Sequence, residues 1–262
     1  MNLPSLWSRA WVRRLVYFAV FGLLWQSLWA IKVFPPIIFP SVGQIAGSFA
    51  REMADGSLMT KTGYSLYLIG LGMAISAALS LILTVLSMFF PTVKDLIRTL
   101  ISVLDPLPGI ALLPLAILWI GIGEGAILFV MVHSILWPML LNVITGFESV
   151  PPIYSDVGRL IGLNRIRMMT GILVPASFPS ILTGIKTGWA RAWRALISAE
   201  MVFGATGVAG GLGWDIYIKR SYLDMPGMFA SLIMIMLVGI LVEDLLFRNL
   251  ERVTVRRWGM MR

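Results

Sequence analysis

The sequence predicts an all-α membrane protein with about six transmembrane helices. Of its 262 residues, 58% are hydrophobic and only 13% are charged, against about a quarter charged in an average soluble domain. With a mean hydropathy of +0.87, such a chain cannot cover itself with polar surface in water. The charges are also unevenly spread: long uncharged runs separate them, and many approach the roughly 20 residues that cross a hydrocarbon core. The runs are continuously apolar without period-2 alternation, which excludes a membrane β-barrel.

The first span is read at 14–32, from the uncharged run Leu15 to Ile31. It is read as a retained helix, because it outruns a signal-peptide core and leads into Lys32-Val33-Phe34-Pro35 rather than a small-residue cleavage site. Val33 to Ala50 is uncharged too, but Pro35, Pro36 and Pro40 oppose a continuous helix there. The second span, 64–90, comes from Thr62 to Val93. The third, 97–121, holds Asp105, Pro106, Pro108 and Pro114 and is expected to bend or break near Asp105. The fourth, 125–147, follows Glu124; the fifth, 177–204, carries charges of its own; the sixth is 226–247. No fixed-period repeat or flexible linker divides residues 1–262, so they are read as one membrane domain.

With 0 Cys, disulfides and thiolate chemistry are excluded, and a single His133 excludes a multi-histidine metal cluster. The net charge of +8 fits basic loops at an anionic membrane surface rather than nucleic acid. If the N-terminus is inside, thirteen of the 21 Lys and Arg fall on cytoplasmic segments and five on outside ones. That imbalance places both termini in the cytoplasm of a multi-pass membrane protein.

Glu148 to Pro175 is too long for a simple connector. Val150-Pro151-Pro152 stops the fourth span, Ser155-Asp156 is expected to start a short helix with Asp156 at its N-terminus, and Gly162 ends it. Arg165, Arg167 and the run to Ile172 and Pro175 lead into the fifth span. From the residues alone, this is either an amphipathic interfacial loop or a docking element for a cytoplasmic partner.

The segment resembles the EAA loop of binding-protein-dependent ABC importer permeases, whose pattern is E-A-A, three residues, G, nine residues, then I-x-L-P. Asp156-Val157-Gly158 stands at E-A-A, Gly162 at the glycine, and Ile172, Val174 and Pro175 at I-x-L-P, with no gap in the spacing. Pro106-Leu107-Pro108, the run Leu112 to Glu124, Ala199-Glu200-Met201 and Gly210-Gly211-Leu212-Gly213 are similar to the nitrate/sulfonate/taurine branch of these permeases. The resemblance implies a type I ABC importer permease fold with a cytoplasmic coupling loop at about 148–175. It also implies a second permease copy, a cytoplasmic ATPase dimer that binds ATP and Mg, and an extracytoplasmic solute-binding protein. The loop residues Asp156, Val157, Gly158, Gly162, Arg165, Arg167, Ile172 and Pro175 would then couple to the ATPase. The chain itself has no G-x-x-x-x-G-K-[ST], so it is not expected to bind nucleotide or to be an enzyme.

Ionisable groups within a span are costly and usually face a bundle interior or a cavity. The fifth span holds Lys186, Arg191, Arg194 and Glu200. Arg191 and Arg194, three apart, share a face. One reading has them line the pathway and favour an anion, since a planar guanidinium suits carboxylate, sulfonate or phosphate. In the other, they pair with Asp105 or Glu200 and stabilise packing. Those four residues are the candidates for a pathway or gate. His133 is read as a hydrogen-bonded core group, and Trp189 and Trp193, at i and i+4, as packing residues.

The function expected is a permease moving a small anionic solute (sulfonate, nitrate or carboxylate class) inward by alternating access. The alternatives are an ion-coupled secondary transporter, which would usually show internal repeats, or an intramembrane enzyme, for which one histidine and no cysteine leave little material.

Overall fold

The computed structural model describes residues 10–203 and 210–256, and every regular element among them is helical. In chain order these are α1 Ala10–Ala30, α2 Val42–Ala54, α3 Ser57–Phe89, α4 Pro91–Leu104, a 3-10 turn Gly109–Leu112, α5 Leu113–Ile120 and α6 Glu124–Glu148. There follow α7 Pro152–Leu160, α8 Arg165–Ala176, α9 Phe178–Phe203, α10 Leu212–Ser221 and α11 Met225–Thr254.

Local chemistry sets the boundaries. Ser41 opens α2 with a reciprocal cap: its hydroxyl accepts from the Gln44 N–H at 3.1 Å, and the Gln44 side chain accepts from the Ser41 N–H at 2.8 Å. Extended Phe90 followed by Pro91 at the first helical position divides α3 from α4. Asp224 caps α11 by accepting from the Gly227 N–H at 3.1 Å.

By length and apolar composition, α3, α6 and α11 can each cross a membrane. Two bent pairs raise the number to five: α4 with the segment Gly109–Ile120, bent by 90°, and α8 with α9, bent by 69°. The first of the six spans read from the sequence, α1, is not among these five. The break expected near Asp105 is present. Pro106 and Pro108 lack amide donors and cannot continue the helical hydrogen-bond ladder, so α4 ends at Leu104 and the chain turns.

The core is centred on α6. Val130, Met131, Ile135 and Met139 are buried against Leu68 and Ile69 of α3 and against Ala192, Leu196 and Ala199 of α9. The helices approach closely: a Cβ placed on Gly146 of α6 would lie 2.5 Å from the Ser180 Cβ of α9. Trp189 and Trp193 stack at 5.8 Å and pack into this core, as expected. Leu81, Ile82, Val103, Leu237 and Leu241 stay exposed, as an apolar belt facing lipid requires.

A second organising feature is only partly encoded in local spacing. Asp215 of α10, 3% exposed, is paired with Lys61 of α3 and, at 2.6 Å, with Lys219. It also accepts a hydrogen bond from Ser231 of α11, and Lys219 pairs with Glu52 of α2. Four helices therefore meet on two cations and two anions. Burial pushes the Asp215 carboxyl up, but the bonds from Lys219, Lys61 and Ser231 outweigh it and hold it below its ordinary value of 3.8.

A carboxyl depressed by folding adds stability that is present above its unfolded pKa and drains away as pH falls through its folded value. Thermal unfolding of the detergent-solubilised protein should therefore show an acid-sensitive component below about pH 4. Asp215→Asn should cost about 2 kcal/mol near neutral pH, because it removes the buried carboxylate that Lys61, Lys219 and Ser231 bind. It should also flatten that acid limb; an unchanged melting profile would show that the network does not hold these helices.

Candidate functional site

Two constellations gather the residues singled out in the sequence. The first surrounds the broken span. Asp105 follows the last residue of α4, and its carboxylate accepts from an Arg191 guanidinium nitrogen of α9 at 2.6 Å. The side chains are 35% (Arg191) and 23% (Asp105) exposed. Both line a cavity of about 340 Å³ formed by the turn Pro106 to Ile110, by His133 and Ser134 of α6, and by Arg194, Ala195 and Ser198 of α9. Irregular backbone at membrane depth is tolerated where it lines a cavity, because its freed polar groups need partners or water. Among the described residues, no hydrogen bond or ion pair reaches Arg194. The two arginines thus differ: Arg191 is held by the broken span, and Arg194 presents an uncommitted cation to the cavity.

His133 departs from its sequence expectation. Its ring stands edge-on to Trp137 at 6.2 Å, but neither ring nitrogen has a hydrogen-bond partner among the described residues. Spacing alone does not show this, because it depends on what α9 and the turn bring opposite the ring.

Glu200 is not part of the cavity lining. It is 1% exposed and lies at the junction of α9 and α10. It accepts from the Gly213 N–H at 2.8 Å and from the Ser65 hydroxyl at 3.1 Å, while Ser65 accepts from the Leu212 N–H at 3.0 Å. The carboxylate therefore caps the first turn of α10, where a negative charge suits the helix dipole and unpaired N–H groups need acceptors. Lys186 is engaged elsewhere, by Glu243 at 3.0 Å and Glu251 at 2.9 Å on α11. Of the four pathway candidates, the structure brings Asp105, Arg191 and Arg194 together. The segment Gly204 to Ala209 lies outside the described residues.

The second constellation is the elbow α7–α8. Gly162 has φ +76°, a conformation glycine adopts without the Cβ penalty. Its N–H donates to the Arg159 carbonyl at 3.0 Å and the Leu163 N–H to the Gly158 carbonyl at 2.9 Å, so the paired bonds close the helix end. Asn164 at once caps α8 by accepting from the Arg167 N–H at 2.8 Å. The joint is thus hydrogen-bonded on both sides. Gly158 is buried against Met168 and Ile172: a Cβ there would fall 2.6 Å from the Met168 methyl carbon and 3.0 Å from the Ile172 Cδ1. A larger side chain at this position would have to displace the ends of the Met168 and Ile172 side chains between the two short helices.

The first short helix begins at Pro152, not at Ser155-Asp156 as expected, because proline is preorganised for the first helical position. Asp156 therefore sits inside α7, exposed, 4.0 Å from Arg159. Val157, Ile153, Leu160 and Ile161 leave an unpartnered apolar surface, with Leu160 86% exposed. Arg159, Arg165 and Arg167 stand exposed beside it. Leu173 anchors the elbow to Val143 and Phe147 of α6, and the Arg165 guanidinium lies 5.7 Å from the Phe89 ring centre at the end of α3. Pro175 lies near the end of α8, just before the bend into α9.

Known proteins share this architecture. A putative ABC transporter permease protein of Methanocaldococcus jannaschii is 31% identical over 225 residues, covering 84% of this chain and 83% of that protein. A putative aliphatic sulfonates transport permease protein of Bacillus subtilis is 26% identical, covering 92% of this chain and 86% of its own length. A taurine transport system permease protein of Escherichia coli is 24% identical, covering 89% and 85%. Among solved structures, the MetNI methionine ABC transporter in an inward-facing conformation matches with a TM-score of 0.60 at 15% identity, covering 75% of this chain and 96% of the matched chain. The family model described as "binding-protein-dependent transport system inner membrane component" matches residues 68–256. With the bent span, the elbow and this match over most of its length, the chain belongs to the family of inner-membrane components of binding-protein-dependent transport systems.

Proposed function

We propose that this chain is the permease subunit of an ATP-driven importer for a small anionic solute of the sulfonate, nitrate or carboxylate class. The observation that carries the solute class is the unpaired Arg194 in a cavity whose other arginine is neutralised by Asp105. One fixed cation without a counter-ion favours one negative charge. Relatives named for aliphatic sulfonates and taurine agree with it.

In this reading two copies pair in the membrane, with both termini and the elbow in the cytoplasm. An extracytoplasmic binding protein delivers the solute. An ATPase dimer, which binds ATP and Mg, docks on the apolar surface around Val157 and Leu160 and its flanking arginines. Closure of the ATPase dimer moves the elbow as one piece, because its joint is hydrogen-bonded on both sides. The motion passes along α8 into α9 and shifts the wall that carries Arg191 and Arg194, which changes the side to which the cavity opens.

Two outcomes are expected in proteoliposomes holding the whole complex and its binding protein. Arg194→Gln should lower uptake of the transported anion about tenfold, the scale of one lost charge-assisted hydrogen bond of about 1.5 kcal/mol, and Arg194→Lys should recover part of it. Wild-type uptake in Arg194→Gln would remove the arginine from the pathway. Gly158→Leu should push α7 off Met168 and uncouple the complex, leaving ATP hydrolysis that no longer responds to the loaded binding protein. Retained coupling in that variant would mean the elbow does not transmit the stroke.

A further inference from the structure

The cavity at the broken span carries an acid that repels the anions it is read to admit. Its ionisable lining consists of Asp105, His133, Arg191 and Arg194. The His133 nitrogens are shielded from solvent, and an imidazolium there would be an uncompensated buried charge, so the ring counts as neutral. Two positive charges and one negative remain, a net of one positive charge. Arg191 and Asp105 are 35% and 23% exposed and Arg194 is exposed, so an ion in the cavity can reach all three. With Asp105 bound to Arg191 at 2.6 Å, Arg194 is the uncommitted cation. With Asp105 neutral, the same wall would offer two guanidinium groups three residues apart on one face of α9. That difference bears on the valence of a bound ion. At low dielectric, the attraction of a fixed cation grows in proportion to the ion's charge, whereas the cost of stripping its water grows with the square of that charge. One cation can offset the desolvation of a monoanion, but a dianion needs two.

We propose that Asp105 determines the valence of the cargo: by occupying Arg191 it keeps the cavity at one available cation and makes it reject divalent oxyanions of the same size and shape as the monovalent ones it takes. The proposal rests on the anionic reading of the cavity and adds an exclusion to it. Asp105 is a positioning residue, acting through Arg191, and it is the repulsive element that discrimination between otherwise similar ligands calls for. Sulfate and methanesulfonate make the comparison clean. They are nearly the same tetrahedron and differ by one charge, so a space of about 340 Å³ cannot separate them by fit.

The chain's lack of cysteine provides a test that does not require the natural solute. Ser198 is exposed on the cavity wall, and Ser198→Cys gives the permease a single thiol there in the otherwise complete transporter. Its rate of modification by the anionic sulfonatoethyl methanethiosulfonate should exceed that by the cationic trimethylammonium-ethyl reagent about tenfold, and Arg194→Gln should abolish the difference. Methanesulfonate should protect the thiol at a concentration about tenfold lower than sulfate does. Asp105→Asn should erase or reverse that preference, with Asp105→Ser as a second neutral variant should the first fail to assemble, and Asp105→Glu should keep it. The paired variant Asp105→Asn, Arg191→Gln again holds one cation and should return to the wild-type preference, which a merely structural role of the ion pair would not produce. If the two reagents react equally, the anionic reading itself falls, and the role of Asp105 with it. If the anionic reagent is preferred but methanesulfonate and sulfate protect equally, or neither protects, or Asp105→Asn keeps the preference, or the paired variant behaves as Asp105→Asn does, the role of Asp105 is overturned and the anion-favouring cavity stands.

Discussion

The pair between Arg191 and Asp105 is the contact on which this arrangement turns. A span that breaks by 90° leaves an acidic residue where lipid offers nothing to bind it. Arg191 answers the acid directly, from a helix 86 residues further along the chain. With the carboxylate held, the turn Pro106 to Ile110 can stay open as a cavity wall. The same pair decides which arginine remains free. Two side chains three residues apart, alike in the sequence, become one strut and one uncommitted charge.

The elbow and the cavity are joined by continuous structure. The α7–α8 joint is closed by backbone hydrogen bonds and a cap. Leu173 fastens α8 to the end of α6, and α9 continues from α8 through the 69° bend. α9 then carries Arg191 and Arg194 and ends near Glu200, which caps α10. The elbow is therefore continuous, through α8 and the bend, with α9, whose far end is clamped.

Much of the fold was legible in the sequence because membrane spans announce themselves by composition. The uncharged runs gave helices with ends up to seven residues adrift, the prolines after Asp105 marked the break, and Gly162 marked the elbow's turn. The start of α7 was misplaced because Asp156 looked like a cap while Pro152 was the stronger signal. Partnerships were less legible. Lys186 meets Glu251 across 65 residues and Ser65 meets Glu200 across 135, and no local spacing encodes such pairings. The pairing of Asp105 with Arg191 was one of those open from the sequence, and it is made by the packing of α9 against the broken span. The unpaired nitrogens of His133 were invisible for the same reason: an absent partner is a property of the surroundings.

The buried cluster of Glu52, Lys61, Asp215 and Lys219 also changes how the surface charge should be counted. Two of the five basic residues in the segments read as outward-facing, Lys61 and Lys219, are cancelled by two carboxylates within one contact shell. To an approaching ion such a quadrupole has little reach, because its field decays within a few ångströms and salt screens the remainder. These lysines cannot act as a funnel drawing anions from dilute solution, as a simple tally of positive residues would imply. That leaves Lys32, Arg51 and Arg220 as the basic residues of those segments outside the cluster.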